Sequence, residues 1–239
     1  MQNDNALSTV QTLSGEHWGL RYLSSFYPEG VPSLDSVSPN TPELAAQPVL
    51  QGGRQAAWFI DLPNGGRGVL RHYRRGGLVA RCFYDQYLWL GAERTRSWAE
   101  FEVMCYLHGQ GVPVPMPVAA SWHRHWAYYR AALITEQVPG ARTLASLLSI
   151  KWVPLVARAI KKMHDAGVYH ADLNAFNILI DAEQAVWLID FDRARRYGRL
   201  SFAQRERNLQ RLQRSLLKLS GAVGARWYQH LAQAYNAQF

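Results

Sequence analysis

Apolar and polar positions alternate along this chain with two different periods, and the change of period marks its halves. "AAWFIDL" (56–62) and "RGVLRHY" (67–73) follow the two-residue rhythm of half-buried strands. The intervening "PNGGR" carries the Asn-Gly signal of a tight hairpin. "TRSWAEFEVMCYLHGQG" changes to helical spacing, with Trp98, Phe101 and Met104 along one face, Cys105 at its margin, and glycine as the stop. "VPVPMPV" must be extended, because proline fixes its own backbone and restricts the residue before it. "AYYRAALITEQV" reads as a strand or hairpin arm, and "TLASLLS" as the start of a helix. In "WVPLVARAIKKMHDAG", Val156, Ile160 and Met163 share a helical face that ends at Gly167. "NILID" and "AVWLIDF" then form two short strands around the turn "AEQ", and from Ser201 onward the pattern is helical. The mixed stretch "GGLVARCFYDQYLWLG" predicts no single element.

The order is therefore a strand-rich half with one helix, then a helix-rich half with one hairpin. Five prolines between Pro28 and Pro48, set among serines and asparagines, predict a loop or linker. A chain of 239 residues suits one large domain or two small lobes. The formal charge of +8 implies a polyanionic partner: nucleic acid, anionic lipid or a phosphorylated substrate. All four lysines (Lys151, Lys161, Lys162, Lys218) lie in the second half, so every other basic residue is an arginine, suited to planar bidentate contacts. Nine tryptophans and twelve tyrosines exceed what a core of this size needs, so some should face a ligand or a membrane interface. Cys82 and Cys105 form neither a disulfide framework nor a zinc spacing. The first residues lack a signal-peptide pattern and no apolar run is long enough to span a bilayer. The expectation is a cytoplasmic protein whose membrane contact, if any, is peripheral.

The chemistry concentrates in "YHADLNAFNILI" and "VWLIDFDRAR". Asp172 and Asn177 bracket a tight loop between a helix and a strand, and Asp190 ends the next strand of the same hairpin. Three such side chains can converge. Phosphoryl transfer needs this group: a carboxylate to position or deprotonate a hydroxyl, then an amide and a second carboxylate to hold magnesium. Hard oxygen donors suit that ion, and no Cys/His cluster competes for another metal.

These residues resemble the protein-kinase superfamily: "HADLNAFN" is similar to the catalytic loop H-R-D-L-x-x-x-N, and "IDFD" to D-F-G. The resemblance implies an α+β, bilobal protein-kinase-like fold, with an antiparallel N-lobe sheet bearing one main helix and a small, mostly helical C-lobe. It implies an extension and linker over 1–48, an N-lobe over 49–138 and a C-lobe over 139–239. Asp172 would be the catalytic base, His170 the brace of its loop, and Asn177 and Asp190 the Mg2+ ligands. ATP would be bound by Gly52 and Gly53 of "QGGRQAAWF", by Arg71 in place of the usual strand lysine, and by backbone groups of Glu136–Val138. Glu100 aligns with the helix glutamate that pairs with the anchor, with Glu102 as the alternative.

Only 47 residues follow Asp192 and no A-P-E pattern occurs among them, so the expected substrate is a small molecule or glycolipid rather than a polypeptide. "LRHYRRGGLVAR", "TRSWAEFEVMCYLHGQGVPVP", "HADLNAFNILI" and "LIDFDRARR" resemble the 3-deoxy-D-manno-octulosonic acid (Kdo) kinase family. The resemblance implies transfer of the ATP γ-phosphate to the Kdo 4-hydroxyl of Kdo-lipid IVA, at the cytoplasmic side of the inner membrane. It accepts D-F-D for D-F-G, and Asp192 is expected to adopt the left-handed backbone a glycine would supply. Arg74 and Arg75, in a basic run with Arg71, His72 and Arg81, are candidates for the acceptor's anionic groups, or form a solvated loop. Phe83, Tyr84, Tyr87 and Trp89 either cover sugar and acyl surface or pack beneath the lobe. A soluble aminoglycoside- or choline-type kinase would want an acidic acceptor pocket, and a heptose or other sugar kinase shares the fold. A pseudokinase explains the missing lysine but not the retained triad; a nucleic-acid-binding protein leaves that triad idle. In "RERNLQRLQRSLLKL", Leu209, Leu212, Leu216 and Leu219 should pack inward, freeing Arg207, Arg211, Arg214 and Lys218 for anionic lipid.

Overall fold

The computed structural model describes residues 9–28, 30–32, 47–48, 57–74 and 85–237. The chain divides into two compact units, 1–101 with 117–137 and 102–116 with 138–239.

The first unit is built on an antiparallel sheet. Its strands are β1 (Val10–Ser14), β2 (Trp18–Leu23), β3 (Gln47–Pro48), β4 (Ala57–Asp61), β5 (Arg67–His72), β6 (Tyr87–Leu88), β7 (Pro117–His125) and β8 (Tyr128–Glu136). They run in the order β1-β2-β7-β8-β5-β4-β3, with β6 added to β8. The expected hairpin is β4–β5, with Leu62 and Gly66 closing its turn through a 2.8 Å backbone hydrogen bond. Two features escaped the periodicity. Residues 10–23, assigned to an extension, form the edge hairpin β1–β2. Strand β7 continues far past "VPVPMPV" because Val118 to Trp122 are all buried, so no alternation advertises it. Its Ala-Ala-Ser centre also has weak strand preference.

Helix α1 (Arg96–Gly109) carries the chain from the first unit to the second. Its sheet-side anchors are polar as well as apolar. Ser97 Oγ donates to the Ser121 carbonyl at 2.9 Å and Trp98 Nε1 to that of Ala120 at 3.3 Å, while Phe101 is wholly buried.

In the second unit, α2 (Val153–Asp165) buries Val156, Ile160 and Met163, the face its spacing predicts. Gly167 follows at φ +76°, where an added Cβ would run into the Tyr197 carbonyl, so only glycine ends the helix this way. The helix expected from "TLASLLS" does not form. After β9 (Arg142–Thr143) there is a single 3-10 turn, Leu144–Ser146, in which Ser146 Oγ bonds the Thr143 carbonyl at 2.8 Å. Serine and threonine side chains here compete with the helical ladder. The short strands β10 (Val168–Tyr169), β11 (Ile178–Ile180), β12 (Val186–Leu188) and β13 (Arg195–Arg196) pair as β9-β11-β12 and β10-β13.

Helix α3 (Phe202–Asn236) begins with a Ser201/Gln204 capping box and buries Leu209, Leu212 and Leu216. It breaks at Ser220 and Gly221 (φ +51°, ψ −125°), after which Trp227, Leu231 and Tyr235 return to the core. Among the described residues no helix is long and apolar enough to cross a membrane.

Candidate active site

Strand β10 leads directly into the loop 170–177, and β11–β12 returns the chain to Asp190. Hydrogen bonds between near neighbours fix this loop. The buried His170 donates from Nε2 to the Ile189 carbonyl at 2.9 Å and accepts the Asp172 amide at Nδ1 at 3.0 Å. Those two bonds select the neutral Nε2–H tautomer, and burial holds the imidazole below its ordinary pKa. His170 is wholly inside, so it braces the loop rather than meeting a substrate. Phe191 packs on its ring at 4.8 Å.

Asp172 is exposed, its carboxylate accepting from Asn174 Nδ2 at 3.1 Å. Asn174 Oδ1 in turn accepts the amides of Phe176 (2.8 Å) and Asn177 (3.2 Å), closing the loop on itself. Asn177 Nδ2 donates to the Asp172 carbonyl at 2.9 Å, and the Asn177 carbonyl accepts the Ile189 amide at 3.1 Å. Asp172, Asn177 and the segment ending at Asp190 are thereby tied together, as the sequence spacing requires.

The donor chemistry fits magnesium. With Nδ2 committed to the loop, Asn177 Oδ1 has no protein partner among the described residues. Asp190 contributes a half-buried carboxylate from a backbone held at φ +64°. A non-glycine residue in that region is uncommon and costs energy, which the surrounding bonds must offset. The left-handed positions are Asp190 and Arg193 (φ +60°), not Asp192, which corrects the expectation for the third residue of "DFD". The turn after Phe191 places its left-handed residue one step later, where the Ala194 amide bonds the Phe191 carbonyl at 2.8 Å.

A buried polar network from α3 supports the loop, and sequence reasoning missed it. Asn208 Oδ1 accepts the His170 amide (3.2 Å) while its Nδ2 donates to the His170 carbonyl (2.6 Å). The same Oδ1 receives His164 Nε2 at 3.1 Å, and His164 Nδ1 meets the Tyr235 hydroxyl at 2.8 Å. Burial is the main cause that lowers the His164 pKa to about 4, so the ring is neutral near pH 7. An asparagine on the leucine-lined flank of an amphipathic helix was the available signal, since a buried amide there requires partners.

Arg211 also changes role. Its Nε donates to the Ala171 carbonyl at 2.8 Å and lies 3.7 Å from Asp172 Oδ1. It is therefore committed to the loop 170–177 and is not part of a free basic stripe. Arg207, Arg214 and Lys218 are exposed, and Leu209, Leu212 and Leu216 are buried as expected, with Leu219 half-buried.

In the first unit, Arg71 on β5 and Glu100 on α1 form an ion pair, with the carboxylate nearly fully buried. Tyr73 donates its hydroxyl to the same carboxylate at 2.5 Å. Burial, then the neighbouring Glu100 charge, pushes the Tyr73 pKa well up, so the phenol stays protonated and donates. Tyr73 was not foreseen, although it lies two residues beyond Arg71 on the same side of the strand. Glu102, the alternative glutamate, faces solvent. Arg74 lies over the Trp58 ring at 5.6 Å.

Glu136 closes β8 opposite Gly68. Val138 accepts the Ala141 amide at 3.4 Å, and its own amide donates to no group among the described residues. Tyr87 is buried and Trp89 stacks against Trp122 at 4.5 Å, so both belong to the sheet's packing. Gly52, Gly53, Arg75, Arg81, Phe83 and Tyr84 lie outside the described residues.

Comparison with known proteins identifies the family. Residues 43–235 match the lipopolysaccharide kinase (Kdo/WaaP) family. A protein of Stenotrophomonas maltophilia (strain R551-3) named 3-deoxy-D-manno-octulosonic acid kinase is 50% identical over 192 residues, 78% of this chain and 76% of its own. The protein of that name from Xanthomonas campestris pv. campestris (strain B100) is 51% identical over 182 residues, 74% and 72% of the two chains. The solved structure of WaaP in complex with acyl carrier protein superposes with a TM-score of 0.54 at 19% identity, covering 81% of this chain and 80% of that one. The likeness of backbone supports the α+β protein-kinase-like fold. On these matches the chain belongs to the lipopolysaccharide kinase (Kdo/WaaP) family, phosphotransferases that act on a sugar.

Proposed function

We propose that this chain transfers the γ-phosphoryl group of ATP to the 4-hydroxyl of the Kdo sugar on Kdo-lipid IVA, in lipopolysaccharide core assembly. The observation that carries the reading is the loop 170–177, which presents an exposed Asp172 carboxylate on a backbone fixed by His170, Asn174, Asn177 and Asn208. The identity of the sugar rests on the names of relatives about half identical to this chain.

Asp172 would accept a hydrogen bond from the acceptor hydroxyl and take its proton as the oxygen bonds to phosphorus. The bond from the γ-phosphorus to the ADP oxygen breaks, and the proton passes from Asp172 to solvent. Asn177 and Asp190 would hold Mg2+, which when bound supplies charge neutralisation to the ATP phosphates. Arg71, aimed by Glu100 and Tyr73, would bind a nucleotide phosphate through its fork. The Val138 amide and Glu136 backbone would meet the adenine.

Purified protein given labelled ATP and Kdo-lipid IVA should yield a Kdo phosphomonoester, with its position read by phosphorus–proton NMR correlation. Label on a heptose, or on a Kdo hydroxyl other than the fourth, would overturn the acceptor assignment.

We infer further that the protein works peripherally at the cytoplasmic face of the inner membrane. Exposed Arg207, Arg214 and Lys218 support this, each worth about 1 kcal/mol near an anionic surface. Arg207→Glu with Arg214→Glu should weaken co-sedimentation with anionic vesicles while transfer to detergent-dispersed acceptor persists. Vesicle binding insensitive to these changes and to salt would remove the electrostatic contact.

A further inference from the structure

Arg211 stands beside the proposed base in an unusual state of engagement. One of its five N–H donors, Nε, bonds the Ala171 carbonyl at 2.8 Å. The nearest approach to the Asp172 carboxylate is 3.7 Å, from the same nitrogen, so the guanidinium lies alongside that carboxylate without hydrogen-bonding it. The terminal Nη groups have no protein partner among the described residues, and the side chain is 42% exposed. The arginine is thus held at its neck, next to the atom that receives the acceptor hydroxyl, with its planar fork open to solvent.

The Nε group engages the loop at Ala171, on the N-terminal side of Asp172. Asn177 and the segment ending at Asp190 are bonded on the other side, through the Asp172 and Asn177 carbonyls. Arg211 therefore adjoins the carboxylate that would receive the acceptor hydroxyl. An octulosonic acid carries a carboxylate on the ring that bears the reacting hydroxyl, and a planar carboxylate is the partner a guanidinium fork fits best. Building on the Kdo reading above, we propose that Arg211 is the acceptor's carboxylate site. It receives the sugar acid in a bidentate contact while Asp172 receives the hydroxyl. Two points of attachment on one ring fix which hydroxyl meets the base, so the same residue contributes to regiospecificity.

The test compares Kdo-lipid IVA with its analogue in which the Kdo carboxylate is reduced to a primary alcohol. Wild type should use the reduced acceptor with kcat/KM about 10- to 100-fold lower, the loss of a charged hydrogen-bonded pair. In Arg211→Ala the acid should fall to the level of the alcohol, so that discrimination vanishes while the KM for ATP stays at its wild-type value. Arg211→Lys separates recognition from loop support, because an ammonium can still reach the Ala171 carbonyl but cannot form the fork. It should keep the thermal stability of the wild type and lose most of the discrimination. Equal losses for both acceptors in the two variants, or a raised KM for ATP, would overturn the proposal in favour of loop support or a phosphate contact. Wild-type protein that phosphorylates the two acceptors equally well would also overturn it. Wild-type protein that phosphorylates neither would overturn the Kdo reading itself, and this proposal with it.

Discussion

Glu100 and Asp172 are the two carboxylates on which the proposed chemistry turns, and their surroundings are opposite. Glu100 is 2% exposed and receives strong donors, among them the Arg71 guanidinium and the Tyr73 hydroxyl. Asp172 is exposed, receives a neutral amide from Asn174, and keeps its nearest guanidinium nitrogen at 3.7 Å. The contrast suits the task proposed for each group. A carboxylate that aims another side chain gains from burial and pairing, since both hold its partner in one place. A carboxylate that must take a proton loses basicity with every strong donor, so its position is fixed through its backbone instead. Glu100 is gripped at its carboxylate by a guanidinium and a phenol, whereas the Asp172 loop is held through its backbone by neutral amides and imidazole, with Arg211 at the Ala171 carbonyl.

The sharpest way to break this contrast is to remove each charge while keeping its shape. Asp172→Asn should lower turnover about 10²- to 10⁴-fold with little change in ATP affinity, measured by steady-state kinetics and nucleotide binding. Glu100→Gln should instead raise the KM for ATP and lower thermal stability. A turnover loss from Glu100→Gln as deep as that from Asp172→Asn would erase the distinction.

Next in size is Arg71→Ala, which strands a buried carboxylate. Such losses run about 3–5 kcal/mol, and the partial exposure of Arg71 places this one at the lower end. Urea denaturation should show it, alongside a raised KM for ATP. Arg71→Lys should recover part of both, because the charge returns without the fork. Unchanged ATP kinetics in Arg71→Ala would move the anchor, with Arg74 the next candidate.

The buried histidine network of the second unit, which Arg205 joins through Tyr235 and the His164 carbonyl, predicts a pH dependence. His164 titrates at about 4 in the folded protein against 6.5 ordinarily, so the unfolded chain takes up a proton that the folded one refuses. Its contribution is fully present above pH 6.5 and is lost as pH falls toward 4, amounting to at most about 3 kcal/mol. His170, also lowered, acts in the same direction. Melting temperatures recorded from pH 7 to 4 should fall, and His164→Gln should flatten part of that slope. An unchanged slope in His164→Gln would assign the dependence to other groups.

The smallest effects test the backbone after Phe191. Arg193→Gly should stabilise by up to about 1 kcal/mol, because a left-handed arginine is strained where glycine is not. Asp192→Gly should cost about 0.5–1 kcal/mol, since that backbone needs no glycine and gains only unfolded-state freedom. The reverse order of melting temperatures would place the left-handed residue at 192 after all.

Sequence by itself determined the loop 170–177 and its tie to Asp190. His170, Asp172, Asn177 and Asp190 lie within 21 positions, and short loops between β10, β11 and β12 leave their hydrogen bonds little choice. It also set α1, α2, the hairpin β4–β5 and the inward leucines of α3, because each has a clear period. The edge hairpin β1–β2 and the far half of β7 lacked one. Tertiary structure alone decided the supports. Asn208 and Arg211 reach the loop from 38 and 40 residues away, and Arg71 meets Glu100 across 29. On the sequence, Asn208 is an ordinary helix residue and Arg211 one member of a basic stripe. Which of them turns toward the loop depends on how α3 rotates as it packs on α2, and that is set by the whole core at once. Local spacing fixes contacts between near neighbours; contacts between distant residues follow from the face that packing leaves turned inward.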